Sequence, residues 1–231
     1  MRVKLLIWDF DGTLAFREGL WSSALAEVAR SHIPGCMAVR EDFVPHLQSG
    51  FPWHSPLLPH THITTAEAWW QNLSPIIARA LAVVTKVPEA EADLLVPRVR
   101  SAFLDPQSWC LFEDVVPCLR TLTRAGWKHV VLSNHVPELP ALVEAVNLTP
   151  YIAQVFTSAL VGFEKPHPQS YKAVLSAHPN ARAVMVGDNF SVDVQGAQAN
   201  GLSAILVRKH HVDATVFHES LVTLPSALAG A

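Results

Sequence analysis

The sequence predicts an α/β protein, a doubly wound parallel sheet with an α-helical domain inserted after its first strand. Three observations carry this. Five short apolar runs have strand length and end in polar residues. The last four alternate with helix-like segments of about three turns, the pattern of a parallel sheet. The stretch 15–111 breaks that alternation and carries helix signals instead.

The first strand is Val3 to Trp8, an unbroken apolar run suited to a strand buried on both faces. It ends in Asp9-Phe10-Asp11-Gly12-Thr13. Carboxylates are costly to bury unless paired or metal-bound, so two acids at this strand end call for a chemical reason. Three helical stretches follow in the insert. "LWSSALAEVAR" opens it, Thr64 with Glu67 reads as a capping box ahead of "AWWQNLSPIIARALAVV", and "EAEADLLVPRVRSAF" closes it. Pro75 and Pro97 are expected to end or restart helices. Between the first two lies "FVPHLQSGFPWHSPLLPHTH", expected as a long ordered loop.

After the insert, "EDVVPCLRTLTRAG" forms a helix stopped at Gly126, followed by the strand "HVVLSN". "PELPALVEAVN" leads to "QVFTS", "HPQSYKAVLSAH" to "AVMVGD", and "SVDVQGAQANG" to "SAILVR". Residues 1–14 and 112–231 are thus expected to form one core, with 15–111 inserted into it. Ligands of such sheets sit beyond the carboxyl ends of the strands, where Asp9, Ser133, Asn134 and Asp188 fall.

Composition narrows the function classes. The 231 residues are half apolar with a net charge of −3, which argues against global disorder and gives no electrostatic case for nucleic acid or an anionic membrane. Cys36, Cys110 and Cys118 are too scattered for a disulfide framework or a zinc motif. Acids interrupt the N-terminal apolar run too early for a signal peptide, so a reducing, cytoplasmic setting is expected. A calcium loop starting at Asp9 would need Gly and Glu where Leu14 and Leu20 stand, which excludes an EF-hand. A response-regulator-like domain would space its acids differently and has no need of a large insert.

The polar groups on the predicted edge share one chemistry. Asp9 with Asp11, Ser133 with Asn134, Lys165, and Asp188 with Asp193 are suited to phosphoryl transfer. Carboxylates bind Mg²⁺ through oxygen, and one can also attack phosphorus. A cation and hydrogen-bond donors must then offset the charge of the group being transferred. Lys165, Ser133 and Asn134 fit those needs, and Asp11 is placed to act as a general acid and base.

In order and content, "DFDGT", "SN", "EKP" and "GDNFSVD" resemble the four motifs of the haloacid dehalogenase superfamily. The resemblance implies a Rossmann-like core with a helical cap, as in the phosphoglycolate-phosphatase-like members. It implies Asp9 as nucleophile, Asp11 as acid/base, Lys165 as charge neutraliser, and Thr13 and Ser133, with Asn134, at the phosphate site. It also implies Mg²⁺ held by Asp9, the Asp11 carbonyl and Asp188, with Asp193 in or just behind the ligand set. Dehalogenases and phosphonatases of the superfamily typically lack an acid at the position of Asp11, so its presence favours a phosphatase of a small phosphorylated metabolite. A phosphomutase, another hydrolase of this type or a non-catalytic binder of phosphate esters are the alternatives. Either a monomer or a homodimer fits.

Substrate choice is expected to lie in the insert. Phosphonatases resemble one another in a cap lysine, whereas the first cap helix here offers only Arg17 and Arg30, and Lys86 comes much later. His46, His54, His60 and His62 gather around Trp53, expected as a proline-braced loop whose aromatics pack on helices. Trp69 and Trp70 are expected in cap packing. Arg17 is open to two roles, substrate contact or plain surface charge.

Overall fold

The computed structural model describes residues 3–229; the outermost ends of the expected core, 1–2 and 230–231, lie outside the described residues. In chain order come β1 (Lys4–Trp8), β2 (Ala15–Phe16), α1 (Leu20–His32), α2 (Arg40–Phe43), α3 (Ala66–Thr85), α4 (Glu89–Asp93), α5 (Val96–Leu104) and β3 (Cys110–Leu111). They are followed by α6 (Val115–Arg124), β4 (Trp127–Ser133), α7 (Leu139–Ala145), β5 (Ile152–Thr157), α8 (Ser158–Val161) and α9 (Pro168–Ala177). The chain then runs through β6 (Arg182–Gly187), a π-helical turn (Phe190–Gln195), α10 (Gly196–Ala199), β7 (Ser203–Val207), β8 (Phe217–His218) and α11 (Leu224–Leu228).

Six strands form a parallel sheet in the order β5-β4-β1-β6-β7-β8. The alternation of side chains explains why β1 is apolar throughout. Leu6 and Trp8 enter one core layer, while Leu5 and Ile7 enter the other. All four are fully buried, each contributing roughly 1.5–3 kcal/mol of transfer free energy. Because β1 lies between β4 and β6, the strand order reverses beside it, and that crevice is where such sheets bind ligands.

The helical stretch leaves and rejoins the sheet through a two-stranded antiparallel ribbon, in which Ala15 pairs with Leu111 and Phe16 with Cys110. This pairing and the short β8 have no counterpart in the sequence reading. Two local expectations are corrected. The cap of α3 is Thr65, whose Oγ1 accepts from Ala68 N–H at 3.2 Å, one residue later than the expected Thr64. Pro75 sits inside α3 rather than at its end. The ladder bond lost there is offset by a buried stripe that includes Trp69, Trp70, Leu73, Ile77 and Leu81. Pro97 does sit in the first turn of a restarted helix, α5. The long loop is ordered by two 3₁₀ turns, Val44–Leu47 and Pro52–His54. No helix among the described residues is long and apolar enough to cross a membrane.

Candidate active site

The loop after β1 curls tightly. Phe10 carbonyl oxygen accepts from Leu14 and Ala15 N–H at 2.9 and 3.0 Å, and Gly12 N–H donates to Ala15 oxygen at 2.7 Å. Gly12 has φ +82°, and a Cβ there would lie 2.5 Å from Asp188 Oδ2, so only glycine lets the loop approach β6 this closely. Gly187 meets the same demand from the other side, since a Cβ would fall 2.2 Å from Asp193 Oδ2.

Four strand ends and one loop then converge. Asp9 N–H is fixed to Val186 oxygen at 2.9 Å. Its carboxylate Oδ1 accepts from Ser133 Oγ at 2.8 Å and from Lys165 Nζ at 2.8 Å. Both contacts fall on one oxygen, leaving Oδ2 outside either. The same ammonium donates to Asp193 Oδ1 at 2.6 Å, while Asp193 Oδ2 accepts from Asn189 N–H at 3.0 Å. Asn134 clasps the backbone of Lys165 from both sides, donating to its carbonyl at 2.8 Å and accepting its N–H at 2.6 Å. Thr13 is enclosed, with Oγ1 a long 3.5 Å from Asp188 Oδ1.

Electrostatics follow from this crowding. Burial, then the charges of Asp9 and Asp188, raise the Asp11 carboxyl to about 7. Burial and Asp9 also raise Asp188, with Lys209 opposing. Burial alone would depress Lys165, but Asp193 and Asp9 outweigh it and hold the ammonium protonated above the ordinary lysine range. Burial pushes Asp193 upward against the pull of Lys165.

Asp9, Asp188 and Asp193 each present an oxygen within 4.8 Å of the others. Such an all-oxygen, mutually repelling set fits a hard divalent cation. Asp193 has both oxygens in close contacts, one with Lys165 and one with Asn189, while Asp188 has Oδ2 on Lys209 and Oδ1 a long 3.5 Å from Thr13 Oγ1, so of the three only Asp9 keeps an oxygen clear. Asp9 could offer Oδ2 to a cation and Asp188 its loosely held Oδ1, whereas Asp193 is the most firmly engaged of the three. The Lys209 ammonium pairs with Asp188, supplying positive charge at the same corner.

These groups line the floor of a cavity of 390 Å³. Its floor includes Asp9, Asp11, Ser133, Asn134, Lys165 and Asp188. Asp193 also borders it, whereas Thr13 does not. Its roof is apolar and comes partly from the helical stretch, through Trp21, Trp53 and Phe103. Arg17 takes neither expected role. It is buried, 3.5 Å from Glu27 Oε2, and does not border the cavity. Trp53 packs as expected, stacking on Phe51 at 4.5 Å, yet it also borders the cavity. His60, which the sequence placed only in the proline-braced loop, is buried 3.1 Å from Glu164, the residue before Lys165. Trp69 and Trp70 pack in the interior.

Sequence reasoning missed three contributors. Lys209 follows the end of β7, as Asp9 and Asp188 follow theirs, and that position was the available signal. Arg208 grips Asp114 through two bonds and also donates to Thr13 oxygen at 3.0 Å, anchoring the Asp9 loop; nothing local marks it. His135 lies beside Asn134 and contacts Phe10, Phe103 and Trp109. Burial lowers its pKa to about 4, so it is neutral.

Comparison with known proteins agrees with this arrangement. The haloacid dehalogenase-like hydrolase model matches residues 3–201. The haloacid dehalogenase-like hydrolase domain-containing protein 3 of Mus musculus is 26% identical over 90% of this chain and 82% of its own. A phosphoserine phosphatase of Thermus thermophilus is 28% identical over 89% and 88%. The magnesium-bound HAD-hydrolase YfnB of Bacillus subtilis superposes over 99% of both chains with a TM-score of 0.74 at 18% identity, a likeness of fold. A family match running from the first strand to the turn before β7, over three strand ends and one loop that gather all four motifs, leaves one conclusion: the chain belongs to the haloacid dehalogenase-like hydrolases.

Proposed function

We propose that the chain is a Mg²⁺-dependent phosphatase that hydrolyses a small phosphorylated metabolite through an aspartyl-phosphate at Asp9. The observation that carries this reading is the shared oxygen of Asp9, where Ser133 and Lys165 both donate to Oδ1. One carboxylate is thus oriented by a hydroxyl and a fixed ammonium while its second oxygen escapes both contacts. The phosphoserine phosphatase relative supports the reaction class, and the bound magnesium of the Bacillus subtilis structure supports the cation.

Asp9, Asp188 and the carbonyl of Asp11 would hold Mg²⁺, which when bound would neutralise phosphoryl charge. Asp9 attacks phosphorus as the bond to the ester oxygen breaks. Asp11, protonated in part near neutral pH by its raised pKa, gives its proton to the leaving alkoxide. The resulting carboxylate then takes a proton from the water that hydrolyses the acyl phosphate, restoring Asp9. Lys165 and Ser133 steady the transferring group, and Asn134 fixes Lys165 from behind. The stretch 15–111 acts as a cap whose closure excludes water and whose movement admits substrate.

A phosphate-release screen over a metabolite panel, with and without Mg²⁺ and beside Asp9→Asn, tests the proposal. Turnover should vanish in the variant and on chelation. Turnover that survives either one refutes the mechanism.

A further inference from the structure

The floor of the cavity is built for a phosphoryl group, and its roof specifies what else the substrate carries. Leu20, Trp21, Trp53, Phe103 and Val136 line it above the carboxylates. Trp21 stacks on Phe103 with ring centroids 4.2 Å apart and 17° between planes, and it lies 6.1 Å from Trp53. The buried Trp21 and Phe103 and the half-buried Trp53 thus border the cavity as one aromatic cluster. The cavity of 390 Å³ has room for a phosphate and a ring-sized remainder, at the small end of ligand pockets.

Charge on this wall is the deciding feature. Among the residues bordering the cavity the only Lys or Arg side chains are Lys165 and Lys209, and both are on the floor and engaged by carboxylates. Arg17 is turned toward Glu27, and Arg100 is tied to Glu138 at 2.6 Å; neither borders the cavity. His135 adds no positive charge, because burial keeps it neutral. A leaving group bearing a carboxylate or a second phosphate would lose its water against this roof without gaining a partner. An uncharged ring would gain offset or edge contacts with Trp21, Trp53 and Phe103.

We propose that the substrate is a phosphate monoester of an uncharged, apolar or aromatic alcohol of about one ring, recognised by the Trp21–Trp53–Phe103 face. The proposal rests on the phosphatase reading and narrows it, setting this chain apart from phosphatases of anionic amino-acid or sugar-acid esters.

The test compares kcat/KM, by phosphate release in Mg²⁺, for benzyl phosphate, 4-carboxybenzyl phosphate and O-phosphoserine. Acetyl phosphate, which has no ring, reports separately on the phosphoryl floor. Benzyl phosphate should exceed both carboxylated esters at least about tenfold, the scale of a single lost pocket contact. In Trp53→Arg the gap between benzyl and 4-carboxybenzyl phosphate should narrow or invert, because the roof then holds a cation. Equal or faster turnover of the carboxylated esters overturns the inference and leaves the phosphatase reading standing. If that preference disappears in Lys209→Ala, Lys209 is the true partner of an anionic leaving group and the inference is equally overturned. An unchanged ratio in Trp53→Arg removes Trp53 from the recognition face. Failure to turn over any of the four, acetyl phosphate included, overturns the phosphatase reading and the inference together.

Discussion

The Lys165 ammonium stands 2.6 Å from Asp193 and 2.8 Å from Asp9, holding two carboxylates that would otherwise face each other in a buried site. Lys165→Met leaves both acids without that cation, and removing one member of a buried ion pair costs about 3–5 kcal/mol. Asp193→Asn should destabilise less, since Asp9 still neutralises the lysine. The double variant should be more stable than additivity of the singles predicts, by about 0.5–3 kcal/mol. Urea unfolding of the four proteins measures this; strict additivity would show that Lys165 and Asp193 are not coupled.

In the proposed mechanism Asp11 protonates the leaving group, so the effect of its loss should depend on which group leaves. Asp11→Asn should reduce turnover of an alkyl ester by roughly 10²–10⁴. The reduction should be much smaller in the initial burst of 4-nitrophenol from 4-nitrophenyl phosphate, which reports the first step alone and whose leaving group is stable without a proton. Equal losses on both substrates would place the limiting role of Asp11 in a step common to both, activation of the hydrolytic water or binding of metal or phosphate, and not in protonation of the leaving group.

His60 and Glu164 join the long loop of the insert to the residue beside Lys165. The contact is reinforced by His60 N–H donating to Gly162 oxygen at 2.9 Å and by Thr61 packing against Gly162. Glu164→Ala should cost about 1 kcal/mol through loss of the buried contact with His60. It should also raise amide exchange across 56–64 before other parts of the insert respond. Uniform exchange changes over the whole chain would argue against a local clasp.

His129 makes stability sensitive to acid. Its Nδ1 accepts from the Trp8 indole N–H at 3.0 Å, and its Nε2 faces Thr123 Oγ1 at 3.2 Å, while that hydroxyl donates to Leu119 oxygen. Burial lowers its pKa from 6.5 to about 4, so the folded state binds fewer protons than the unfolded chain. Stability should therefore fall as pH drops below about 6.5 and level off below about 4, by roughly 3 kcal/mol at most. In His129→Gln the slope of unfolding free energy against pH over that range should flatten.

The sheet was legible because its strands are apolar runs ended by polar residues, and burial on both faces of β1 leaves no other use for Leu5, Leu6, Ile7 and Trp8. Asp9, Ser133 and Asp188 were legible for the same reason, each standing at or just past a strand's carboxyl end. Tertiary partners were not. Pro75 could be read only as a helix end, because the packing that tolerates it comes from remote chain. The pairing of His60 with Glu164 joins residues far apart in sequence. Nor does local pattern show that Arg17 turns inward to Glu27, or that Trp53 both packs and borders the cavity.

The ribbon of Ala15–Phe16 with Cys110–Leu111 has a mechanical consequence. Phe112 N–H donates to Leu14 oxygen at 3.2 Å, and Ala15 oxygen accepts from Gly12, so the ribbon is bonded directly into the turn that carries Asp11. Both strands leading to the helices are coupled to each other, and neither can swing alone. Any displacement of the helices would bear on the Asp11 turn, which Arg208 braces from its other side through Thr13. The turn that carries Asp11 is thereby tied to the position of the helices.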